Sequence, residues 1–264
     1  MAYRHQKVQR LRRLAGRTSA RRAERVFVAE GVKVVSEALA AGVPIEAVFA
    51  APGAPADLLD RAVEAGARVH DLAPGVIERV AGTVTPQPVI ATVPYVDVEL
   101  DALRGADLVV VCVDVRDPGN AGTVLRSAEA AGAGGIICCD GCVDVYNPKT
   151  VRASAGSLFH VPVVNGGDPA DVLRRLGEWG LRRLGAVAGR GSDYTAADLV
   201  GPTALVLGNE ACGLPDSTAA LLDGEITIPM TGRAESLNVG MAAAVLCFEA
   251  ARQRRARRQP AGAT

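Results

Sequence analysis

Aromatic residues are scarce: one tryptophan, four tyrosines and four phenylalanines make up 3% of the 264 residues. That is too few for a recognition surface built from rows of stacking rings. No apolar run approaches the roughly 18–20 residues that cross a bilayer, and the basic N-terminus is not followed by the apolar core of a signal peptide. The expected compartment is therefore the cytoplasm, with no membrane partner. The three histidines, His5, His70 and His160, are scattered, and "CDGC" (139–142) is the only CxxC. A structural zinc needs two further ligands at matching spacing, so no metal is expected. Cys112, Cys138, Cys139 and Cys247 lie in apolar runs, where cysteine acts as a small hydrophobe. GxGxxG and GK[ST] are both missing, which argues against a dinucleotide loop and a P-loop.

What is present describes a compact α/β protein, with 49% apolar residues and 29 glycines. Net charge is zero, but the charges are segregated. Residues 1–25 hold nine basic side chains (Arg4, Lys7, Arg10, Arg12, Arg13, Arg17, Arg21, Arg22 and Arg25) against Glu24 alone, and residues 252–258 add five arginines. Basic arms flanking an acidic body fit a polyanionic partner whose affinity falls with salt. Charge alone leaves open a solvated helix face and a solubilising tail.

Five segments follow from periodicity and punctuation: a basic arm (1–25), a small α/β unit (26–96), a polar linker (97–106), a larger α/β region (107–253) and a basic tail (254–264). The small unit reads as strands "VFVAEG", "IEAVFAA", "ARVHDL" and "PVIATVPYV" with helices "VKVVSEALAAG", "PADLLDRAVEAG" and "PGVIERVAGT" between them. In the larger region apolar runs at 107–115, 134–140, 160–164, 181–188, 203–208 and 225–229 alternate with helical segments. That alternation implies a mainly parallel sheet covered on both faces, with ligands beyond the carboxyl ends of its strands.

Three strand ends carry unusual polar chemistry. "DPGNAGTVLRSAEAAG" (117–132) holds Asn120 in the turn and Arg126 six residues on. "LVLGNEACGLP" (205–215) brackets Asn209 and Glu210 between glycines. "IPMTGRAESLNVGMAAAV" (228–245) places Ser236 and Asn238 at a helix mouth. Asn120 and Ser236 stand where N-caps are expected. Capping does not account for the set, which reads as a ligand site with an arginine beside it.

These three stretches, in order and spacing, resemble the signature motifs of the SpoU (TrmH-like) RNA ribose 2′-O-methyltransferases. "NPKTVRASAGSLFHVPV" (147–163) is also similar, and "FVAEGVKVVSEAL" resembles the family's N-terminal substrate-binding domain. The resemblance implies a knotted (trefoil), mainly parallel α/β methyltransferase domain behind a smaller RNA-binding α/β domain, a homodimer, and S-adenosyl-L-methionine as cofactor. Gly208, Ile228 and Leu237 would offer backbone contacts to the cofactor, with Leu207, Asn209 and Met230 nearby. Arg126 would hold an RNA phosphate and act on the ribose hydroxyl, Asn120 would orient it or the ribose, and Glu210, Ser236 and Asn238 would organise the site. Arg10, Arg12, Arg13, Arg21, Arg22, Arg152 and Ser154 are the RNA-contact candidates.

The implied reaction is in-line methyl transfer to a ribose 2′-hydroxyl, most naturally of ribosomal RNA. It requires alignment of oxygen, carbon and sulfur and help for a weakly acidic hydroxyl in losing its proton. The family role is that of a base, against which stands the fact that a guanidinium hardly ever deprotonates; the alternative is that Arg126 fixes the phosphate and stabilises developing alkoxide charge, and the sequence does not separate the two. Alternatives are a transfer-RNA substrate and a catalytically silent RNA-binding factor.

Overall fold

The protein is described by a computed structural model covering residues 1–81 and 85–258. Its chain forms two compact units, one of residues 1–96 with 144–160, the other of residues 97–143 with 161–264.

In the first unit the arginine-rich start is not an arm. Two helices form, α1 (Gln6–Gly16) and α2 (Thr18–Glu24), and α1 brings Val8, Leu11 and Leu14 to one face, the spacing of an amphipathic stripe. All three are fully buried in a core with Val26, Val28, Phe49 and Ile90. The chain continues as β1 (Val26–Glu30), α3 (Val32–Ala40), β2 (Ala47–Ala50), α4 (Ala56–Glu64), β3 (Arg68–Asp71) and β4 (Val89–Pro94). The sheet order is β1-β4-β2-β3, antiparallel except for the β2–β3 pair. The expected helix "PGVIERVAGT" is only a 3-10 turn at Ile77–Arg79; its positions 82 and 83 lie outside the described residues.

The second unit opens with a 3-10 turn at Leu100–Leu103 whose Leu103 is buried, so the polar linker stretch is packed. Then come β5 (Leu108–Cys112), α5 (Pro118–Ala130) and β6 (Gly135–Cys138). Residues 144–160, with helix α6 (Pro148–Ala153), belong to the first unit, although their sequence falls inside 107–253. Four of the scarce aromatics hold them there. Tyr146 stacks on Tyr95 at 3.8 Å and packs on Phe27 at 4.7 Å between centroids, with Phe159 6.2 Å from Phe27. Gly156, at φ +101°, must be glycine, because a Cβ would sit 2.4 Å from the Glu37 side chain.

The second unit resumes with β7 (Val163–Asn165), α7 (Pro169–Glu178), β8 (Arg182–Ala186), β9 (Ser192–Asp193), β10 (Thr203–Leu207), α8 (Asp216–Ala219), β11 (Gly224–Thr227) and α9 (Val239–Arg258). Its seven strands run in the order β7-β6-β5-β10-β8-β11-β9, every pairing parallel. The central runs "LVVVC" and "TALVL" are buried throughout, as expected for strands covered on both faces. Chain order reverses between β5 and β10, the switch point beside which such sheets bind ligands. The expected tail is not free: residues 254–258 continue α9, and Arg254 donates to the carbonyls of Leu199, Asp107 and Gly201. Positions 259–264 of that tail lie outside the described residues.

Candidate active site

The loops after β5, β10 and β11 are tied together by side-chain amides. Asn238 Nδ2 donates to Asn120 Oδ1 at 2.7 Å, and Asn120 Nδ2 donates to Glu210 Oε1 at 2.7 Å. The direction of this chain is dictated by its backbone end. The Gly240 N–H can only donate, and it does so to Asn238 Oδ1 at 2.9 Å. The NH2 group of Asn238 is thereby turned to Asn120, whose own NH2 group is left for the Glu210 carboxylate. Residues 90 and 118 positions apart in sequence thus form one polar chain ending in an acid.

Neither expected cap is the residue that caps. Asp117 is the N-cap of α5 and accepts from the Asn120 N–H at 2.9 Å. Pro118 follows at the first helical position, where its missing N–H costs nothing. This frees the Asn120 side chain to leave the helix. At α9 the cap is Asn238, not Ser236, because the helix begins at Val239. Ser236 is exposed and makes no hydrogen bond among the described residues.

Asn209 fixes the second loop from below. Its Nδ2 donates to the Asp114 carbonyl at 2.9 Å and the Asp114 carboxylate at 3.2 Å. Its Oδ1 accepts from the backbone of Ala211 and Cys212. Asp114 holds a left-handed backbone at φ +57°, a conformation that costs a non-glycine residue about 1–3 kcal/mol; its carboxylate also accepts from Arg116 at 2.7 Å. Sequence reasoning missed Asp114 and Asp117. The dipeptide Asp117-Pro118 was a readable cap signal, whereas Asp114 had none.

Leu207 ends β10 fully buried, and its carbonyl accepts from the Val113 N–H at 2.8 Å. Gly208 follows with no room for a side chain: a Cβ would lie 2.5 Å from the Gly213 carbonyl carbon. Ile228, Met230 and Leu237 are half-buried in the third loop. Arg126 is exposed on α5 and makes no ion pair or hydrogen bond among the described residues. Six helical steps place it about 240° around the axis from Asn120, so the two do not share a helix face.

The RNA-contact candidates, all in the first unit, divide sharply. Arg21 is 2% exposed; it pairs with Asp144 at 2.6 Å and donates to the Leu14 carbonyl and Thr18 hydroxyl. Ser154 is fully buried and donates to the Val151 carbonyl. Neither can touch RNA, and both are withdrawn as contacts: each satisfies polar groups inside the unit. Arg10 binds Glu24 and Glu46, Arg13 binds Glu24, and Arg152 binds the buried Glu30 at 2.7 Å. Burial works against the Arg10 charge, but its two carboxylate partners prevail and raise its pKa. Arg22 is exposed, and Arg12 lies over the Tyr3 ring.

Around the CxxC, as elsewhere among the described residues, no group of three or more His, Cys, Asp or Glu is placed to bind a metal ion. Cys142 donates to the Cys112 carbonyl, and burial pushes its thiol up to about 12. Burial likewise raises Cys139, so these groups stay protonated and unreactive at neutral pH.

Such loops at the switch point of a parallel sheet define a ligand-binding α/β protein, and similarity makes the assignment narrower. The SpoU rRNA Methylase family matches residues 107–248, and the MRM3-like substrate binding domain matches residues 5–91. The chain belongs to the SpoU rRNA methylase family. It is 33% identical over 225 residues to the 23S rRNA (guanosine(2553)-2′-O)-methyltransferase RlmP of Bacillus subtilis, covering 84% of this chain and 87% of that protein. An AdoMet-bound rRNA methyltransferase from Sinorhizobium meliloti is 32% identical with a TM-score of 0.83, covering 94% of this chain and 95% of its own. The SpoU methyltransferase AviRb from Streptomyces viridochromogenes, in complex with AdoMet, is 30% identical with a TM-score of 0.85, covering 96% and 100%.

Proposed function

We propose that the chain methylates a ribose 2′-hydroxyl of RNA with S-adenosyl-L-methionine as methyl donor, and that ribosomal RNA is its substrate. The observation that carries this reading is the Asn238–Asn120–Glu210 chain, which joins three strand ends within the family-matched region. Relatives named for 23S rRNA, similar through both units, support the ribosomal substrate.

The loops suit the donor's chemistry. Residues 208–215 hold one carboxylate, Glu210, and no cation, a composition that tolerates a positive sulfonium and would repel a pyrophosphate. Gly208 and the half-buried Ile228, Met230 and Leu237 line these loops with backbone and apolar surface suited to an adenosine. The cofactor supplies an electrophilic methyl group. Arg126, permanently cationic and with no ion pair or hydrogen bond among the described residues, holds the RNA phosphate and stabilises the negative charge that develops on the 2′-oxygen as its proton passes to solvent water. The amide chain fixes Asn120 beside the ribose, and Glu210 terminates that chain as the acceptor.

A homodimer belongs to the same proposal. Met241 and Phe248 are 60% and 47% exposed, seven residues apart on one face of α9, and a second copy would cover them and complete a site around Arg126. The trefoil knot is proposed with it, supported by the insertion of β10 between β5 and β8. No helix among the described residues is long and apolar enough to cross a membrane, in keeping with action in the cytoplasm. Incubation with methyl-labelled cofactor and either ribosomal or transfer RNA tests the substrate: label is expected in ribosomal RNA, and label confined to transfer RNA would refute the assignment.

A further inference from the structure

The first unit contains a cavity of 740 Å³, inside the roughly 300–1,000 Å³ range of sites that enclose small ligands. Five separate parts of the chain supply its wall: the end of α1, strand β1, the 3-10 turn at 77–79, strand β4 and the start of α6. Its lining includes six cations, Arg12, Arg13, Arg17, Arg79, Lys149 and Arg152, against the single carboxylate of Glu30. Its floor is apolar, made by Val28, Val80 and Ile90.

Acids hold Arg152, through Glu30 at 2.7 Å, and Arg13, through Glu24 at 2.8 Å. Arg12 and Arg79 lie over the ring of Tyr3, at 5.8 and 5.4 Å from its centroid. The Arg17 side chain has no partner among the described residues. A solvated helix face would spread such charges outward into water. Here cations far apart in sequence converge on one concavity, a repulsive arrangement that packing does not require and that a polyanion relieves.

We infer that this cavity seats one or two unpaired nucleotides of the substrate RNA, their phosphates on Arg17, Arg79 and Arg12 and a base against the apolar floor. The inference rests on the methyltransferase reading and adds the class of RNA recognised: a looped or splayed strand. A splayed base enters a concavity and lies against guanidinium planes, whereas a rigid A-form duplex presents only its outer backbone. The first unit thus reads unpaired RNA through one defined pocket, and its N-terminal charge is not a diffuse arm.

The test uses the full-length enzyme carrying the double substitution Arg17→Glu and Arg79→Glu. KM for RNA is expected to rise about tenfold or more and the salt slope to shrink by about two, since each phosphate contact contributes about one; kcat should hold within twofold and cofactor affinity should be unchanged. An eight-nucleotide single strand carrying 4-thiouridine should crosslink to the wild-type cavity and not to the double variant. An unchanged KM in an active variant would overturn the inference, as would equal crosslinking by a duplex or displacement of the strand by inorganic phosphate at matching concentration. Failure of the wild-type enzyme to methylate any RNA would refute the methyltransferase reading instead, and the crosslinking arms would still decide the pocket.

Discussion

Residues 1–25 and the three loops after β5, β10 and β11 are the two polar features that the sequence brings forward as candidate binding sites, and the fold treats them in opposite ways. Along 1–25 the determining residues are apolar: Val8, Leu11 and Leu14 anchor the helices, and Arg21 is drawn inside to pair with Asp144. In the loops the polar side chains bond to one another, from Asn238 through Asn120 to Glu210, while Arg126 on α5 has no ion pair or hydrogen bond among the described residues. Charge density therefore marked a packed structural element, and sparse amides at strand ends marked the loops whose side chains bond to one another.

The contrast breaks most visibly at Arg126. Arg126→Ala should lower turnover on the order of 10³-fold, the scale of removing one preorganised charge stabiliser, with cofactor affinity unchanged by calorimetry; loss of cofactor affinity would move Arg126 out of the catalytic role. Arg21→Ala should cost stability instead, roughly 3–5 kcal/mol in denaturant unfolding, because Asp144 would be left buried and uncompensated. Pairing Arg21→Met with Asp144→Leu should recover most of that loss.

Leu11→Ala should destabilise the protein by about 2–5 kcal/mol, while the exposed Arg22→Ala should stay within about 0.5 kcal/mol. Equal effects would erase the distinction between the two faces of the basic helices. Removing 1–25 outright would not isolate their charge, since it strips three core side chains as well. The smallest perturbation is chemical labelling: a thiol reagent at neutral pH should mark Cys212, exposed in the second loop, and spare Cys139, Cys142 and Cys247, whose thiols burial raises, and Cys112, raised by its hydrogen bond with Cys138 and then by burial. Rapid modification of Cys142 would revive the redox reading of the CxxC.

Much of this fold was legible because its signals are local. Continuous apolar runs such as "LVVVC" mark buried parallel strands, and alternating helices imply the layered sheet. The segment 144–160 was misjudged because its anchors are distant: Asp144 reaches Arg21, Arg152 reaches Glu30, and His160 lies 2.9 Å from Glu37. The site was legible as a set of residues and not as a geometry. Glycines and amides at three strand ends pointed to it, yet the true caps Asp117 and Asn238, and the support that Asp114 gives Asn209, depend on which polar atoms meet in space.

The central claim is that these loops direct a methyl group to a ribose oxygen. Nucleoside mapping by mass spectrometry of ribosomal RNA after incubation with enzyme and labelled S-adenosyl-L-methionine tests it most directly. The account predicts a single 2′-O-methylnucleoside; a methyl group on a base nitrogen or carbon would contradict it.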